Sequence, residues 1–265
     1  MAEGVLFRFA NEEMVYLLRA LHIVDFPGLA PDPLKELEDS QKSSLMQIAD
    51  HTLRARGLVH WRGETEREID PLITKLLLQC ARPEHTLFVD MMDTSSAAKK
   101  LLYIFSEQVI VEQQECEPQV QQYLVVPARD AFIKRLHTLV IQEQNSLSSS
   151  LPGGHINQYF WLEALNIARS DEDRASALLA KSLPRQTASA LAAAVHNLQR
   201  IEYLALWKQT PSLGKRYPAR TLTVVTGNGQ LILLWWEEPG KSLLQVIPAS
   251  VEQAKEYISL LLPPE

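Results

Sequence analysis

The sequence predicts an α+β fold with a pseudo-two-fold internal duplication, in which a central antiparallel sheet is flanked by helical bundles. Three observations carry that prediction. First, Arg220 to Leu261 aligns without a gap on Lys99 to Val140, at an offset of 121 positions (220 − 99 = 121). Seven residue pairs coincide: Leu101/Leu222, Glu117/Glu238, Pro118/Pro239, Val125/Val246, Pro127/Pro248, Ala128/Ala249 and Leu139/Leu260. Chance gives roughly 2–3 at average residue usage. Second, both copies follow one order: two strands around a tight turn, a Glu-Pro turn, a third strand ending at proline, then a helix. Third, Leu231 to Trp236 (LILLWW) is apolar at every position, the pattern of a strand buried on both faces. Its counterpart Val109-Ile110-Val111 behaves likewise, and a sheet to which both halves contribute explains both.

The elements follow in chain order. Asn11 to His22 reads as a helix, with Asn11 as N-cap and Glu12 and Glu13 at the positive end of the helix dipole. Met14, Leu17, Leu18 and Leu21 give it one apolar stripe. Phe26-Pro27-Gly28 stops it, and Pro31 to Asp39 is a proline-punctuated acidic connection. Ser44 to Arg56 is a second helix, closed by Gly57 at C′. Leu58 to Trp61 is a short strand and Arg62 to Arg67 a polar turn. Asp70-Pro71 marks a further helix start, with Ile73, Leu76, Leu77 and Cys80 on one face. Thr86 to Met92 is a strand leading into the first copy, whose hairpin turns at Ser106-Glu107-Gln108.

Ile141 to Gly154 is serine-rich and ends Leu-Pro-Gly-Gly, which marks a linker. After it the order restarts: helices at Ile156 to Ala168, Asp171 to Lys181 and Gln186 to Gln199, a strand at Tyr203 to Trp207, a loop at Thr210 to Pro218, then the second copy. Gly227-Asn228-Gly229 is a strong hairpin signal. Ser250 and Gln253 form a capping box for the last helix. The expected organisation is therefore a first half over 1–142, a linker over 143–155 and a second half over 156–265, the halves sharing one core.

Composition narrows the function. The 265 residues are 46% apolar and 22% charged, ample for a packed core, and the net charge of −6 argues against nucleic acid, whose phosphates draw on clustered Lys and Arg. The start MAEGVLFRF has no basic segment before an apolar run, and no stretch approaches a membrane span, so no membrane partner is expected. Cys80 and Cys116 stand far apart in sequence, which points to reduced thiols and the cytoplasm. The seven histidines fall in no metal spacing, and no cofactor or catalytic motif is present. Asp90 and Asp93 are candidate acid–base carboxylates, with a solvated loop the plainer reading. Asp171-Glu172-Asp173 is an acidic first turn, and Ser148-Ser149-Ser150 is linker.

Two features point to partners. Residues 45–70 have the order of a winged helix, in which Arg54 and Arg56 would face DNA phosphates; the acidic residues Asp50, Glu64, Glu66, Glu68 and Asp70 favour a packing unit instead. Four of the five tryptophans lie in the second half, where Trp161 and Trp207 are candidate interface anchors, joined by Leu165, Leu191 and Val195 on helix faces. A plain core role is the alternative for each.

The first half also resembles a known family. Met14 to Leu21 followed by Ile23-Val24-Asp25-Phe26-Pro27, then Arg56-Gly57-Leu58-Val59, Gly63, Ile69-Asp70-Pro71-Leu72 and Ala81-Arg82-Pro83 before a strand, is similar to the EspG family. These are secretion-specific cytosolic chaperones of type VII (ESX) systems. The resemblance implies two related halves, a central antiparallel sheet and flanking helical bundles. It also implies a non-enzymatic protein that shields apolar helical surface of a secreted client. A winged-helix DNA-binding regulator, an enzyme with an unfamiliar site, or a structural protein of unknown partner are the alternatives, and homodimerisation is left open.

Overall fold

The computed structural model describes residues 4–29, 34, 36–63, 66–94, 98–106, 109–126, 128–141, 150–210, 215–236 and 242–263. The fold is α+β, with antiparallel strands and packed helices. The chain separates into two compact units. One holds Met1–Thr86 and Leu101–Arg129; the other holds Leu87–Lys100 and Asp130–Glu265.

In the first unit, β1 (Leu6–Ala10), β7 (Val120–Val126), β6 (Ile110–Glu117) and β5 (Lys99–Phe105) lie side by side in that order, all antiparallel. Helices α1 (Asn11–Ala20), α2 (Asp39–Ala55) and α3 (Pro71–Ala81) accompany a two-stranded ladder of β2 (Val59–Arg62) and β3 (Glu66–Ile69). The helix ends show why these segments fold locally. The Glu13 carboxylate accepts the Ala10 amide at 3.1 Å, so Ala10 is the N-cap of α1 and Asn11 its first residue. At the C-terminus of α2, Gly57 takes φ +70°, the amide of Leu58 bonds the carbonyl of Leu53 and that of Gly57 bonds Arg54, each at 2.9 Å. A left-handed φ costs glycine little, so this closure satisfies two orphan carbonyls cheaply. The Asp70 side chain caps α3 by accepting from Leu72 and Ile73 at 2.9 and 3.1 Å, with Pro71 at the first helical position. Ile73, Leu76, Leu77 and Cys80 are all buried. Phe9 and Phe26 meet the Tyr123 ring, each at 6.1 Å between centroids.

In the second unit the strand order is β4 (His85–Asp93), β9 (Leu198–Thr210), β10 (Lys215–Gly227), β11 (Gln230–Trp236), β12 (Leu243–Pro248) and β8 (Gly154–Asn157). Helices α5 (Gln158–Ala168), α6 (Glu172–Leu179) and α7 (Arg185–His196) bury Trp161, Ala164, Leu179, Leu191 and Val195 against Ile201, Val225, Ile232, Leu234 and Val246. Trp235 meets Tyr257 of α8 (Val251–Leu261) edge-on at 5.5 Å. Ile232 and Leu234 thus join the α5–α7 core while Trp235 packs toward α8, and β11 is apolar from Leu231 to Trp236 because helices occupy both its sides. At the β10–β11 hairpin, Asn228 and Gly229 take φ +46° and +69°, the pair of positive values a type I′ turn demands. Gly227 lies so close to α7 that a Cβ there would stand 2.0 Å from the Ala194 carbonyl oxygen. Helix α4 (Arg129–Val140) buries Phe132, Leu136 and Val140.

The two units share a strand pattern. The order β1-β7-β6-β5 in one has its counterpart in β8-β12-β11-β10 in the other. Ile104 pairs with Val111 and Val225 with Ile232, so the first hairpin of each has one register at the 121-residue offset. The following strand is displaced: Val111 pairs with Val125, but Ile232 pairs with Pro248 rather than Val246.

Several boundaries differ from expectation. Helix α2 begins at Asp39, not Ser44, because its first turn is polar and is fixed by the Gln41 side chain accepting from the Glu38 amide at 3.1 Å. Strands β3 and β8 occupy a predicted turn and a predicted linker end. Strand β9 starts at Leu198, expected in a helix, and β10 at Lys215, expected in a loop. In each case pairing with a neighbouring strand sets the limit, and composition carries no trace of it. Asp90 and Asp93 lie in β4 rather than a solvated loop. Part of the Pro31 to Asp39 connection, Glu107 and Gln108 of the first hairpin turn, the Glu238-Pro239 turn, Pro127 and the serine-rich 142–149 stretch fall outside the described residues.

Candidate partner-binding surface

Helix α5 starts where Asn157 accepts the Tyr159 amide at 2.9 Å and the Gln158 amide bonds the Ser242 carbonyl at 2.7 Å. Its apolar residues exceed one helical stripe and so divide. Trp161, Ala164 and Ala168 turn inward, while Tyr159 (76% exposed), Phe160 and Leu162 face out. Leu243, also exposed, pairs across the ladder with Asn157, the residue that caps α5. Tyr159 and Leu162, three residues apart, share an outward stripe of α5, whereas Leu243 alternates with the core-facing Leu244 and so projects from the other side of its strand.

Burial divides the contact residues chosen from the sequence. Trp161 is 5% exposed, Leu191 0% and Val195 2%, and all three belong to the α5–α7 core. Leu165 is partly buried against the same core. Trp207 is half-buried, its ring edge-on to Phe88 at 6.1 Å. Periodicity found the helices correctly but could not say which stripe of an aromatic-rich helix faces the sheet.

Ionisable groups elsewhere are tied to structure. Glu202, on β9, is fully buried and ion-paired with Arg200, whose guanidinium also donates to the Leu139 carbonyl at 2.6 Å near the end of α4. Burial pushes the Glu202 carboxyl up to about 8, against the pull of Arg200, with Asp93 adding to the rise. Arg220 holds α8 in the same way, donating to the Leu260 carbonyl at 2.5 Å. In a cleft lined by Lys134, His137 and Lys255, His137 Nε2 lies 3.4 Å from Ser259 Oγ. That hydroxyl also donates along its own helix to the Lys255 carbonyl at 2.9 Å. Burial lowers the His137 imidazole pKa. Arg56, which only the winged-helix alternative would turn toward DNA, is spent inside the first unit: it bonds both Glu13 oxygens at 2.8 and 3.0 Å and the Arg8 carbonyl at 2.7 Å. Cys80 is buried and Cys116 exposed, both free thiols. Among the described residues no three His, Cys, Asp or Glu side chains gather as a metal site, and no helix is long and apolar enough to cross a membrane.

No family model and no curated protein matches the sequence. A solved structure does: the Mycobacterium tuberculosis type VII secretion system chaperone EspG5, in complex with a PE25-PPE41 dimer, is similar over 98% of this chain and 97% of its own, with a TM-score of 0.68 and 11% sequence identity. At that identity the likeness concerns fold, and it spans both chains nearly end to end. The resemblance seen in the short motifs of the first half therefore extends to three dimensions, and this chain has the fold of an EspG-type secretion chaperone.

Proposed function

We propose that this protein is a non-enzymatic, cytoplasmic chaperone that holds apolar helical surface of a secreted client. The observation that supports it most is the near-complete fold likeness to a chaperone solved with a bound protein dimer. The exposed Tyr159 and Leu162 on one stripe of α5 supply apolar area of the kind a client helix can cover. The mechanism is mutual burial: client side chains that would aggregate in water are covered until they are handed on. We further infer that the two halves descend from one duplicated unit, since the strand order recurs and the first hairpin keeps one register at the offset the sequence repeat shows.

The test is co-expression with helical secreted proteins encoded near this gene, followed by size-exclusion chromatography with light scattering. A stoichiometric complex is expected, and Tyr159→Asp combined with Leu162→Asp should weaken it by roughly tenfold or more, as losing two aromatic or aliphatic anchors does. Failure of every such client to bind, with the purified protein folded, sinks the chaperone reading. A complex indifferent to both substitutions moves the contact away from α5.

A further inference from the structure

The ladder of the first unit borders a donor-rich groove that the chaperone reading does not use. His51, Arg54 and Ala55 from α2 and Val59, His60 and Trp61 from β2 line an open groove of about 600 Å³. Its polar side chains are a guanidinium, two imidazoles and an indole; none of the described residues lining it carries a carboxylate, while Glu68 stands opposite His60 in the ladder. Arg54 is held in place by Asp50 at 3.6 Å yet remains about half exposed, at 47%. Asp50 is itself occupied by the Tyr16 hydroxyl. Arg67 adds a second cation beside the groove, its guanidinium stacked 4.8 Å from the Trp61 ring centroid and 5.4 Å from that of Tyr16.

The groove's position narrows the occupant. Successive residues of a strand point to opposite faces, so a cavity touching Val59, His60 and Trp61 in turn must run along the strand's edge. Strand β2 has β3 on one side only, in a two-stranded ladder, so its other edge carries main-chain donors and acceptors with no partner strand among the described residues. An extended peptide satisfies such an edge by adding a strand, with alternate side chains reaching the groove. We propose that this groove takes an extended acidic peptide segment of a partner protein, its main chain along β2 and its carboxylates on Arg54, His51 and His60. Nucleic acid fits less well, because the chain carries a net charge of −6 and a nucleic acid offers no main chain to complete a ladder. The inference stands apart from the chaperone reading, since it uses neither α5 nor a secreted client.

The experiment is an amide NMR titration of the full chain with an alternating Glu-Val hexapeptide. Its counterparts are a Lys-Val hexapeptide, an oligothymidylate and inorganic phosphate. Saturable shifts confined to α2 and β2 with the Glu peptide, weakened by salt, are expected. Arg54→Gln and His60→Gln should each reduce affinity by about tenfold or less, the loss of one charge-assisted hydrogen bond, while Arg54→Lys keeps most of it. His60 is exposed on a strand, so its variant decides the matter if Arg54→Gln disturbs folding. No saturable shift, equal response to the Lys peptide, tighter binding of the oligonucleotide, or response to phosphate alone each overturns the proposal.

Discussion

Glu202 and Arg56 illustrate how single side chains set the energetics of buried charge. Glu202 has an ordinary value of 4.5 and is pushed by burial to about 8 in the folded chain. An acid whose folded pKa is raised binds more protons when folded than when unfolded. Its contribution is therefore most favourable below about 4.5 and is lost as pH rises through 8. Glu202→Gln keeps the shape and removes the titration. Urea unfolding at pH 5 and pH 9 should show the variant near wild type at the lower pH and ~1–3 kcal/mol more stable at the higher. A gap equal at both pH values would mean the carboxyl titrates normally. Arg56→Ala has the opposite character. It strands Glu13, 6% exposed, without its bidentate partner, and leaves the Arg8 carbonyl a donor short. The Arg56 side chain is 39% exposed, so solvent screens the pair and its loss should cost ~1–2 kcal/mol, which the urea midpoint reports.

At the scale of elements, helix ends and one hairpin carry testable weight. Asp70→Ala removes the acceptor for two amides at the start of α3 and should cost ~1 kcal/mol by chemical denaturation. Gly227→Ala asks more of the fold. Its Cβ would collide with the Ala194 carbonyl, so β10 or α7 must shift, and a loss above ~2 kcal/mol is expected. A variant as stable as wild type would show that α7 yields freely. These elements were largely legible in the sequence. Asp-Pro, Gly-Asn-Gly, Ser-x-x-Gln and the apolar run of β11 each specify local geometry through residues adjacent in the chain. The starts of β8, β9 and β10 were not legible, because a strand ends where its neighbour stops pairing.

For the molecule as a whole, the serine-rich stretch looks like a place to divide the chain, yet the compact units do not follow it. Strand β4 and helix α4 precede that stretch and belong with the second unit, where β4 neighbours β9 and Arg200 reaches the Leu139 carbonyl of α4. A fragment of residues 150–265 alone should therefore expose the β9 edge and the seat of α4. It should be insoluble or molten by near-ultraviolet circular dichroism, and co-expression with residues 1–142 should restore a folded complex. A soluble, cooperatively folding fragment would show that β4 and α4 are dispensable. By itself the sequence determined the fold class, the caps of α3 and α8, the type I′ hairpin and the doubly buried strand, since each follows from periodicity or turn chemistry within a few residues. Tertiary structure alone decided that Trp161, Leu191 and Val195 are core, that Tyr159 and Leu162 are surface and that Arg56 belongs to Glu13. Those outcomes depend on which face of each helix meets residues distant in the chain, and local pattern does not encode that choice.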